Sequence, residues 1–282
     1  MNTPQRPVWF ITGASRGIGA EIARAALERG DAVVAAVRNP ADVPRALGEH
    51  AQLLAVALDV TDERQAGAAV AAAIERFGRI DVLVNNAGYG LLSAVEEAGA
   101  DEVRAVFETN VFGLLNVARA VLPLMRERRS GHVMNLSSLG GYQSLGGWGI
   151  YCATKFAVEA LTEALSAELA PLGVHATAIE PGFFRTDFLD GKSMRDAAVH
   201  IADYAATVGE MRKYAAGVNH QQPGDPRKLA LAVLKLADAK QPPLRLPLGA
   251  DTVGRIRDKH AFVERQLAEW LPVALSTAHA QA

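Results

Sequence analysis

Several classes of protein are excluded by what the sequence has little of. The only cysteine among 282 residues is Cys152, which rules out an internal disulfide and a cysteine cluster for zinc or iron–sulfur. We interpret Cys152 as a packing residue. His132, His175 and His200 have no metal-ligand spacing, so we expect no metal. The formal net charge is −2, and without a basic surplus nucleic-acid binding is excluded as the main function.

Long apolar runs are also missing. No run reaches the roughly 18 residues needed to cross a bilayer, and residues 1–7 lack the apolar core of a secretory signal. We therefore expect a soluble, cytoplasmic protein without a membrane span. Hydrophobic residues make up 50% of the chain and charged residues 21%, a balance typical of a globular domain.

Short β-branched runs alternate with longer alanine-rich stretches of helical periodicity. Strands are predicted at Val8–Thr12, Ala32–Val37, Leu53–Leu58, Asp81–Val84, Gly131–Leu136, Val174–Ile179 and Leu244–Leu248. Helices are predicted at Ile18–Arg29, Asp62–Phe77, Ala100–Arg128, Tyr151–Leu169, Lys228–Leu236 and Thr252–Trp270. Thr61 is the expected cap of the second helix, and Pro123 predicts a kink or boundary in the third. Strands separated by single helices favour an α/β fold, a Rossmann-like doubly wound parallel sheet of about seven strands with helices on both faces.

A glycine-rich turn separates the first strand from the first helix. Gly13 permits a sharp turn, Gly17 lets the backbone approach a ligand, and Gly19 lets the helix pack closely on the strand. A helix N-terminus binds anions such as a pyrophosphate, so the turn predicts a dinucleotide site rather than only a tight connection. No Lys-Ser or Lys-Thr follows, which excludes a P-loop. The residues assigned to the cofactor are Gly13, Ser15, Arg16, Gly17, Ile18 and Gly19.

The end of the second strand indicates which dinucleotide binds. An acid there would accept the ribose 2′-hydroxyl, whereas an arginine accommodates a 2′-phosphate. The strand ends with Arg38 and no acid, and Arg16 supplies a second guanidinium, so we expect NADP(H) rather than NAD(H). The alternative is that both arginines are solvated surface charges. Asp59 and Val60, after the third strand, are placed to cover the adenine, although Asp59 is also a candidate helix cap.

A tyrosine and a lysine lie one helical turn apart on the same helix face. Tyr151 and Lys155 are four residues apart at a predicted helix start, which places both side chains together. A tyrosine pKa is ordinarily about 10, and a nearby ammonium is expected to lower it by about 1–3 units toward the range of a general acid or base. Ser138, at the end of the fifth strand, is placed to hydrogen-bond a substrate carbonyl. The strand end with Ser138 and the helix start with Tyr151 both lie at the carboxyl edge of the sheet, where open α/β folds bind ligands.

Together these motifs resemble those of the short-chain dehydrogenase/reductase family, single-domain type. The resemblance is strong over Val8–Thr186 and weak beyond it. It is carried, in order, by Thr12-Gly13-x-x-x-Gly17-x-Gly19, Asn85-Asn86-Ala87-Gly88, Asn110, Ser138, Tyr151-x-x-x-Lys155 and Pro181-Gly182-x-x-x-Thr186.

The resemblance implies further site residues. Asn110 would distort its helix and hold a water that connects Lys155 to solvent as a proton relay, making Asn110 the fourth catalytic residue. Further cofactor contacts are implied for Asn86, Ala87, Gly88, Tyr151, Lys155, Pro181, Gly182, Phe184 and Thr186. Of these, Phe184 and Thr186 would contact the carboxamide.

The motif order leads us to predict one domain over residues 1–282, with no linker dividing it. Residues 187–222, polar and mixed without a strand pattern, are predicted to be a mobile substrate-covering insertion, and residues 250–272 a helical extension. Glu96 and Glu97 are assigned to a helix start. By the resemblance we expect a homodimer or homotetramer through the helices near residues 100–128 and 151–169.

The expected activity is oxidation and reduction at a carbon–oxygen bond. We expect an NADP(H)-dependent oxidoreductase that interconverts a ketone or aldehyde and an alcohol on a largely apolar substrate, with Tyr151 as general acid or base. Aromatic residues from Phe183 to Phe188 and the stretch Leu145–Trp148 are candidate pocket walls, loosely like the hydroxysteroid and retinol dehydrogenase branch. The alternatives are a non-catalytic nucleotide-sensing regulator and an epimerase or dehydratase on the same fold.

Overall fold

Seven parallel strands form the central sheet. The structure, a computed structural model, describes residues 6–279; residues 1–5, part of the start that was expected to lack a signal, and residues 280–282 lie outside it. The strands of the described residues are β1 (Val8–Thr12), β2 (Ala32–Val37), β3 (Leu53–Ala57), β4 (Val82–Asn85), β5 (Gly90–Leu92), β6 (Gly131–Leu136), β7 (Val174–Pro181), β8 (Met194–Asp196) and β9 (Arg245–Leu248). All except β5 and β8 belong to the central sheet. The order in the sheet is β3-β2-β1-β4-β6-β7-β9, which confirms the predicted doubly wound fold.

Helices cover both faces of this sheet. In chain order the helices of the described residues are α1 (Gly17–Glu28), α2 (Val43–Leu47), α3 (Glu63–Phe77), α4 (Ala100–Phe107), α5 (Gly113–Arg128), α6 (Gly149–Leu169), α7 (Glu210–Val218), α8 (Pro226–Ala237) and α9 (Ala250–Leu275). In β1, Trp9 and Ile11 belong to the core formed with α1 and α8, whereas Phe10 belongs to the core formed with α3 and α5. Because both faces are buried, the central strands are continuous apolar runs rather than alternating ones.

The long helix predicted at residues 100–128 is interrupted, but not at the proline. A π-helical turn over Glu108–Phe112 separates α4 from α5, and Pro123 lies inside α5. The prediction of a boundary at Pro123 was therefore wrong. Pro123 is on the exposed side of the helix, so the carbonyl that loses its N–H donor can be solvated without a break in the helix. The break instead carries Asn110, which is buried.

The stretch Ala100–Arg128 is also the single one among the described residues that is long and apolar enough, by length and composition, to cross a membrane. Half of its most apolar window is buried in the molecule, and Val117, Val121 and Met125 are fully buried in the core beneath the sheet. This is the packing of a core helix.

The predicted covering insertion (residues 187–222, hereafter the covering segment) contains more regular structure than its sequence indicates. Met194–Asp196 forms β8, which pairs in parallel with β5 in a separate two-stranded sheet, and Glu210–Val218 forms α7. The prediction that this region has no strand was wrong. A three-residue strand is too short to show a period-two pattern, so the pairing is detectable only in three dimensions.

A buried ion pair fastens the covering segment to the rest of the molecule. The sequence context suggested that Glu97 starts a helix, which was wrong. Its carboxylate instead accepts hydrogen bonds from the backbone N–H groups of Ala94 at 2.8 Å and Ile201 at 2.9 Å, and from Arg212 at 2.7 Å. The hydrogen bond from Arg212 lowers the pKa of Glu97 to about 2, against its burial. The carboxylate thus joins three segments that are distant in sequence.

We expect Glu97→Gln to destabilise the protein by about 3 kcal/mol, because it leaves a largely buried guanidinium without this partner. The folded-state pKa is depressed, so the contribution of Glu97 is complete above about pH 5. It is lost as the pH falls from the ordinary value of 4.5 towards about 2. Denaturant unfolding at pH 7 and near pH 3 measures both effects. Glu96→Gln is the control, since the Glu96 side chain is exposed and bonds only the Tyr204 hydroxyl; an equal loss in both variants would contradict the anchoring role.

The last helix extends beyond the predicted residue 270 to Leu275. Its first residues pack on the body of the molecule, and Thr252 is buried there. From residue 260 to residue 279 every residue is exposed, including Phe262, Leu267 and Trp270. The predicted C-terminal extension is thus a helix that projects from the sheet.

Candidate functional site

A cleft of about 1200 Å³ opens at the carboxyl ends of β1, β4, β6 and β7. It lies where the strand order reverses between β1 and β4, the position at which open α/β sheets bind ligands. The predicted residues that line it are Gly13, Ser15, Arg16, Gly17, Ile18, Arg38, Asp59, Val60, Asn86, Ala87, Gly88, Ser138, Tyr151, Lys155, Pro181, Gly182, Phe184 and Thr186. Gly19 and Asn110 lie behind the walls.

The glycine-rich turn delivers the free end of α1 to the cleft. Gly13 has a φ of +68° and Gly17 a φ of +55°, a left-handed conformation that favours glycine. Arg16 precedes the helix in extended backbone, no side chain caps the N-terminus, and no acid lies in the first turn. The first N–H groups of α1 are therefore available to an anion, and the helix dipole favours one.

Asn86 holds this turn against β4. Its side-chain amide donates to the carbonyls of Thr12 at 2.8 Å and Gly13 at 3.2 Å. The Thr12 hydroxyl in turn accepts from the backbone N–H groups of Asn86 and Ala87, each at 2.9 Å. These contacts are how the Asn85–Gly88 motif joins the end of β4 to the end of β1.

We expect Gly19→Ala to destabilise the fold by about 1–3 kcal/mol and to weaken dinucleotide binding, as overpacking does in a closed space. A Cβ there would lie 2.6 Å from the Gly13 carbonyl oxygen and would also overlap the Asn86 amide. The matched control is Gly67→Ala in α3, where a Cβ meets nothing within 4 Å and the change should stabilise by about 0.5–1 kcal/mol. Thermal unfolding and NADPH titration measure the effects; a neutral Gly19→Ala would show that the helix is not packed this closely.

The far wall of the cleft contains the residues that were expected to select the cofactor. Arg16 and Arg38 are both exposed there, and neither pairs with a carboxylate among the described residues. Asp42 lines the same wall, an acid that inspection of the strand end alone missed because it is the last residue of a 3-10 turn, Pro40–Asp42, beyond the end of β2.

Asp59 is not a helix cap. Its carboxylate accepts from the backbone N–H of Thr61 at 3.0 Å and from the Thr61 hydroxyl at 2.8 Å. The cap of α3 is Asp62, which accepts from the N–H groups of Arg64 and Gln65, so the assignment of Thr61 was wrong by one residue. Asp59 therefore remains on the cleft wall beside Val60.

Ser138, Tyr151 and Lys155 meet on the wall formed by the end of β6 and the first turn of α6. The Ser138 hydroxyl accepts from the backbone N–H of Gly140 at 3.0 Å. It lies near the Tyr151 ring, since a Cβ on Gly140 would be 3.5 Å from both side chains. Lys155 Nζ donates to the Leu136 carbonyl at 2.7 Å and lies 5.8 Å from the centre of the Tyr151 ring. The predicted three-residue constellation is assembled as its spacing indicated.

The electrostatics of this wall differ from the expectation. Burial raises the pKa of Tyr151 above its ordinary value, and the hydrogen bond with Ser138 opposes this only in part. Burial also lowers the pKa of Lys155 to about 8. The expectation that the ammonium dominates the tyrosine pKa was wrong here, because desolvation of the phenolate is the larger effect.

Asn110 is buried behind the wall of the cleft and contacts residues that form it. Its side-chain amide donates to the Tyr89 carbonyl at 2.9 Å and to the Thr154 hydroxyl at 3.0 Å, and its oxygen accepts from the Tyr89 N–H at 3.0 Å. A Cβ on Gly88 would lie 3.0 Å from this oxygen and 3.8 Å from Lys155 Nζ. The helix distortion expected at Asn110 is the π-helical turn, and the side chain joins that turn to the connection between β4 and β5 and to α6.

The other end of the cleft is apolar. Trp148, Cys152 and Met194 form a buried cluster with Tyr151, and the Phe188 ring lies 5.7 Å from the Tyr151 ring. Cys152 therefore packs, as expected. The sequence did not predict Tyr89, Lys192, Ser193, Arg195 and Gln222 on the cleft wall or Met194 in the apolar cluster. Tyr89 directly follows the Asn85–Gly88 motif, which was a usable signal. The residues from 192 to 195 depend on the β5–β8 pairing, and Gln222 is placed by its contact with the Thr186 carbonyl.

At the edge of the cleft, three side chains of the described residues form a group that could hold a metal ion. Asp187, Asp190 and His220 bring their ligand atoms within 4.8 Å of one another. The histidine spacing did not indicate this grouping, because it arises from the fold of the covering segment. Mostly exposed acidic groups of this kind are common without a metal.

Comparison with known proteins agrees with this geometry. The family model of the short chain dehydrogenases matches residues 7–196. Oxidoreductase BOA17 of Botryotinia fuckeliana is 39% identical over 273 residues, covering 96% of this chain and 99% of that protein. The 3-ketodihydrosphingosine reductase of Bacteroides thetaiotaomicron is 37% identical over 246 residues, 87% of this chain and 88% of that protein.

Solved structures give the same result. A short-chain dehydrogenase from Streptomyces avermitilis superposes with a TM-score of 0.90 at 40% identity, covering 97% of this chain and 99% of that one. A short-chain dehydrogenase/reductase from Burkholderia phymatum in complex with NAD superposes with a TM-score of 0.82 at 26% identity, covering 94% and 97%. The chain therefore belongs to the short-chain dehydrogenase/reductase family and is a nucleotide-binding oxidoreductase with a single Rossmann-like domain.

Proposed function

We propose that this chain is an NADP(H)-dependent oxidoreductase that interconverts a ketone or aldehyde and an alcohol on a largely apolar substrate. The observation that carries the proposal is the position of the Tyr151 hydroxyl. It lies beside Ser138, whose side chain lowers its pKa, on the wall of the cleft, while its ring belongs to the apolar cluster at one end. A proton donor thus lies between the dinucleotide part and the apolar part of one cleft.

The residues present fit a dinucleotide. The uncapped N-terminus of α1 suits a pyrophosphate, and a Cβ on Gly17 would find only Thr186, at 3.9 Å, so the backbone there is open to a ligand. The exposed guanidinium groups of Arg16 and Arg38, neither of which pairs with a carboxylate of the described residues, favour a 2′-phosphate. Asp42 on the same wall, and the NAD complex of the Burkholderia relative, make NAD(H) the competing choice.

The chemistry divides between the cofactor and the protein. The cofactor, when bound, supplies or accepts the hydride. Ser138 orients the substrate oxygen, and Tyr151 donates its proton to that oxygen in reduction and receives it back in oxidation. Because burial raises the pKa of Tyr151, its hydroxyl is protonated at neutral pH, which suits the donor role. Lys155 places an ammonium beside the ring and is the candidate to hold the ribose, with Asn110 supporting it through the turn at Tyr89.

The substrate class is supported by the lining of the cleft. Leu145, Trp148, Phe188 and Leu189 surround the proposed carbonyl position with apolar surface. The name of the Bacteroides relative also specifies a keto substrate. We further propose a homodimer or homotetramer and a cytoplasmic location, which size-exclusion chromatography with light scattering and cell fractionation would test.

The decisive experiment is oxidation of NADPH and of NADH, followed by absorbance, across a panel of apolar ketones and aldehydes, with the alcohols and oxidised cofactors for the reverse direction. The proposal expects turnover with at least one apolar carbonyl compound and a higher kcat/KM with NADPH. Tight NADPH binding without turnover on any compound would favour the nucleotide-sensing alternative. Products of inversion or dehydration would favour an epimerase or dehydratase.

A further inference from the structure

Behind the catalytic wall, α6 carries a third ionisable residue in line with Tyr151 and Lys155. Glu159 follows Lys155 by four residues, so it lies one turn further along the same helix face. Its side chain is buried, with 4% of the residue exposed. A buried carboxyl group one turn from a buried ammonium requires an explanation, because neither charge is favourable alone.

Glu159 belongs to a cluster in which acids outnumber bases. Arg245 on β9 contacts the carboxylates of Glu159 at 2.7 Å and Glu180 at 2.9 Å and also that of Glu163. Glu180 is fully buried, whereas Glu163 is about half exposed. One guanidinium cannot neutralise three carboxylates, so the cluster has an excess of negative charge when all three acids are ionised.

Lys155 is a buried positive charge without a close carboxylate partner among the described residues. The residue is buried, and the hydrogen bond of its ammonium goes to the neutral Leu136 carbonyl. No carboxylate of the described residues lies within ion-pair distance of Nζ. Burial lowers the pKa of Lys155 to about 8, and the negative charge of Glu159 is what opposes this effect.

We propose that Glu159 is a positioning residue for the reaction at Tyr151, because its carboxylate supplies the counter-charge that keeps Lys155 an ammonium while Arg245 holds that carboxylate in place. The inference rests on the role proposed above for Lys155. It assigns a function to the cluster that the cofactor cleft itself does not use.

The surroundings of Glu159 determine its own charge. From α6 it faces Lys155 and Glu163, from β7 Glu180, and from β9 Arg245. A second cavity of about 860 Å³, on the side of α6 away from the cofactor cleft, reaches Glu159 and is also lined by Tyr142, Lys259 and His260. Burial and the neighbouring acid Glu180 raise the pKa of Glu159 to about 7, although the nearby Ser137 side chain and the charge of Arg245 oppose this. Glu159 is therefore ionised above neutral pH, the range in which Lys155 approaches its own pKa.

The test is Glu159→Gln, with Glu163→Gln as the matched control on the same arginine. The pH dependence of Lys155 acetylation by acetic anhydride, followed by peptide mass spectrometry, reports its pKa without any turnover. We expect Glu159→Gln to lower this pKa by about 1 unit, the low end of the effect of an opposite charge nearby. The alkaline limb of the kcat/KM profile should move down by the same amount, and Glu163→Gln should change neither.

A substitution that fails to fold does not end the test, because Glu159→Met removes the same charge without burying a polar group and should give the same shift. The proposal is overturned if Lys155 titrates as in the wild type after loss of the Glu159 charge, or if Glu163→Gln produces an equal shift. A shift of the Lys155 pKa in a protein that turns over no carbonyl compound would separate the two claims. It would contradict the proposed activity and leave the counter-charge in place.

Discussion

Tyr151→Phe should reduce kcat for carbonyl reduction by about 10²–10⁴-fold, the usual contribution of a positioned general acid, while NADPH binding is unchanged. The substitution removes only the hydroxyl. The ring contacts with Trp148 at 6.0 Å and Phe188 at 5.7 Å are retained, so the apolar cluster stays intact. Steady-state kinetics with the best substrate of the panel and NADPH fluorescence titration measure the two quantities.

The matched control is Tyr204→Phe. Tyr204 has its hydroxyl bonded to Glu96 and is not among the residues that line the cleft, so loss of that hydroxyl should leave kcat unchanged. Residual activity near the wild-type level in Tyr151→Phe would show that another group, or water, delivers the proton. A parallel loss of NADPH binding would show instead that the hydroxyl is mainly a cofactor contact.

Arg38→Asp should lower kcat/KM with NADPH by about 10–100-fold, as expected from losing a charge-assisted hydrogen bond worth about 1.5–3 kcal/mol. With NADH we expect a gain, since a carboxylate at this point can accept the ribose 2′-hydroxyl. Arg38 lies on the cleft wall in the same stretch as Asp42, and the variant would present two acids to the ribose. The ratio of the two kcat/KM values is the measured quantity.

Arg45→Asp on α2 provides the control, because this exposed arginine is not among the cleft residues and makes the same change in net charge. It should change kcat/KM with both cofactors equally and little, since an exposed charge that does not line the cleft is screened by water and salt. Unchanged kcat/KM for both cofactors in Arg38→Asp would mean that Arg38 is a solvated surface charge. In that case Asp42 becomes the residue that selects the cofactor.

The central sheet was predictable because its physics is local in sequence. Strands such as Val8–Thr12 are buried on both faces and appear as continuous apolar runs, and each is followed by a helix with its own periodicity. The positions of Ser138, Tyr151 and Lys155 followed from the same regularity, since strand ends and helix starts meet at one edge of the sheet.

The remaining features depend on contacts between distant segments. The β5–β8 pairing joins strands of three residues, too short for a pattern, and the partners of Glu97 come from residues 201 and 212. The helix break at Asn110 was expected only from the resemblance, whereas Pro123 gave a misleading local signal. The pKa of Tyr151 is set by burial under side chains such as Phe188, so spacing to Lys155 alone suggested the opposite direction.

The strand order has a consequence for how the chain reaches its native state. β1 pairs with β4, and Asn86 contacts Gly13 across 73 residues of sequence; Arg212 contacts Glu97 across 115. In the seven-stranded sheet every neighbouring pair is parallel and joined by a crossover, so none can form as a local hairpin. Each pairing must close a long loop before it is rewarded, which makes such a topology slow to fold. The dinucleotide cleft therefore exists only after β1 and β4 have met, and a nascent chain released before β4 would expose apolar strands without any site to bind the ligand that could stabilise it.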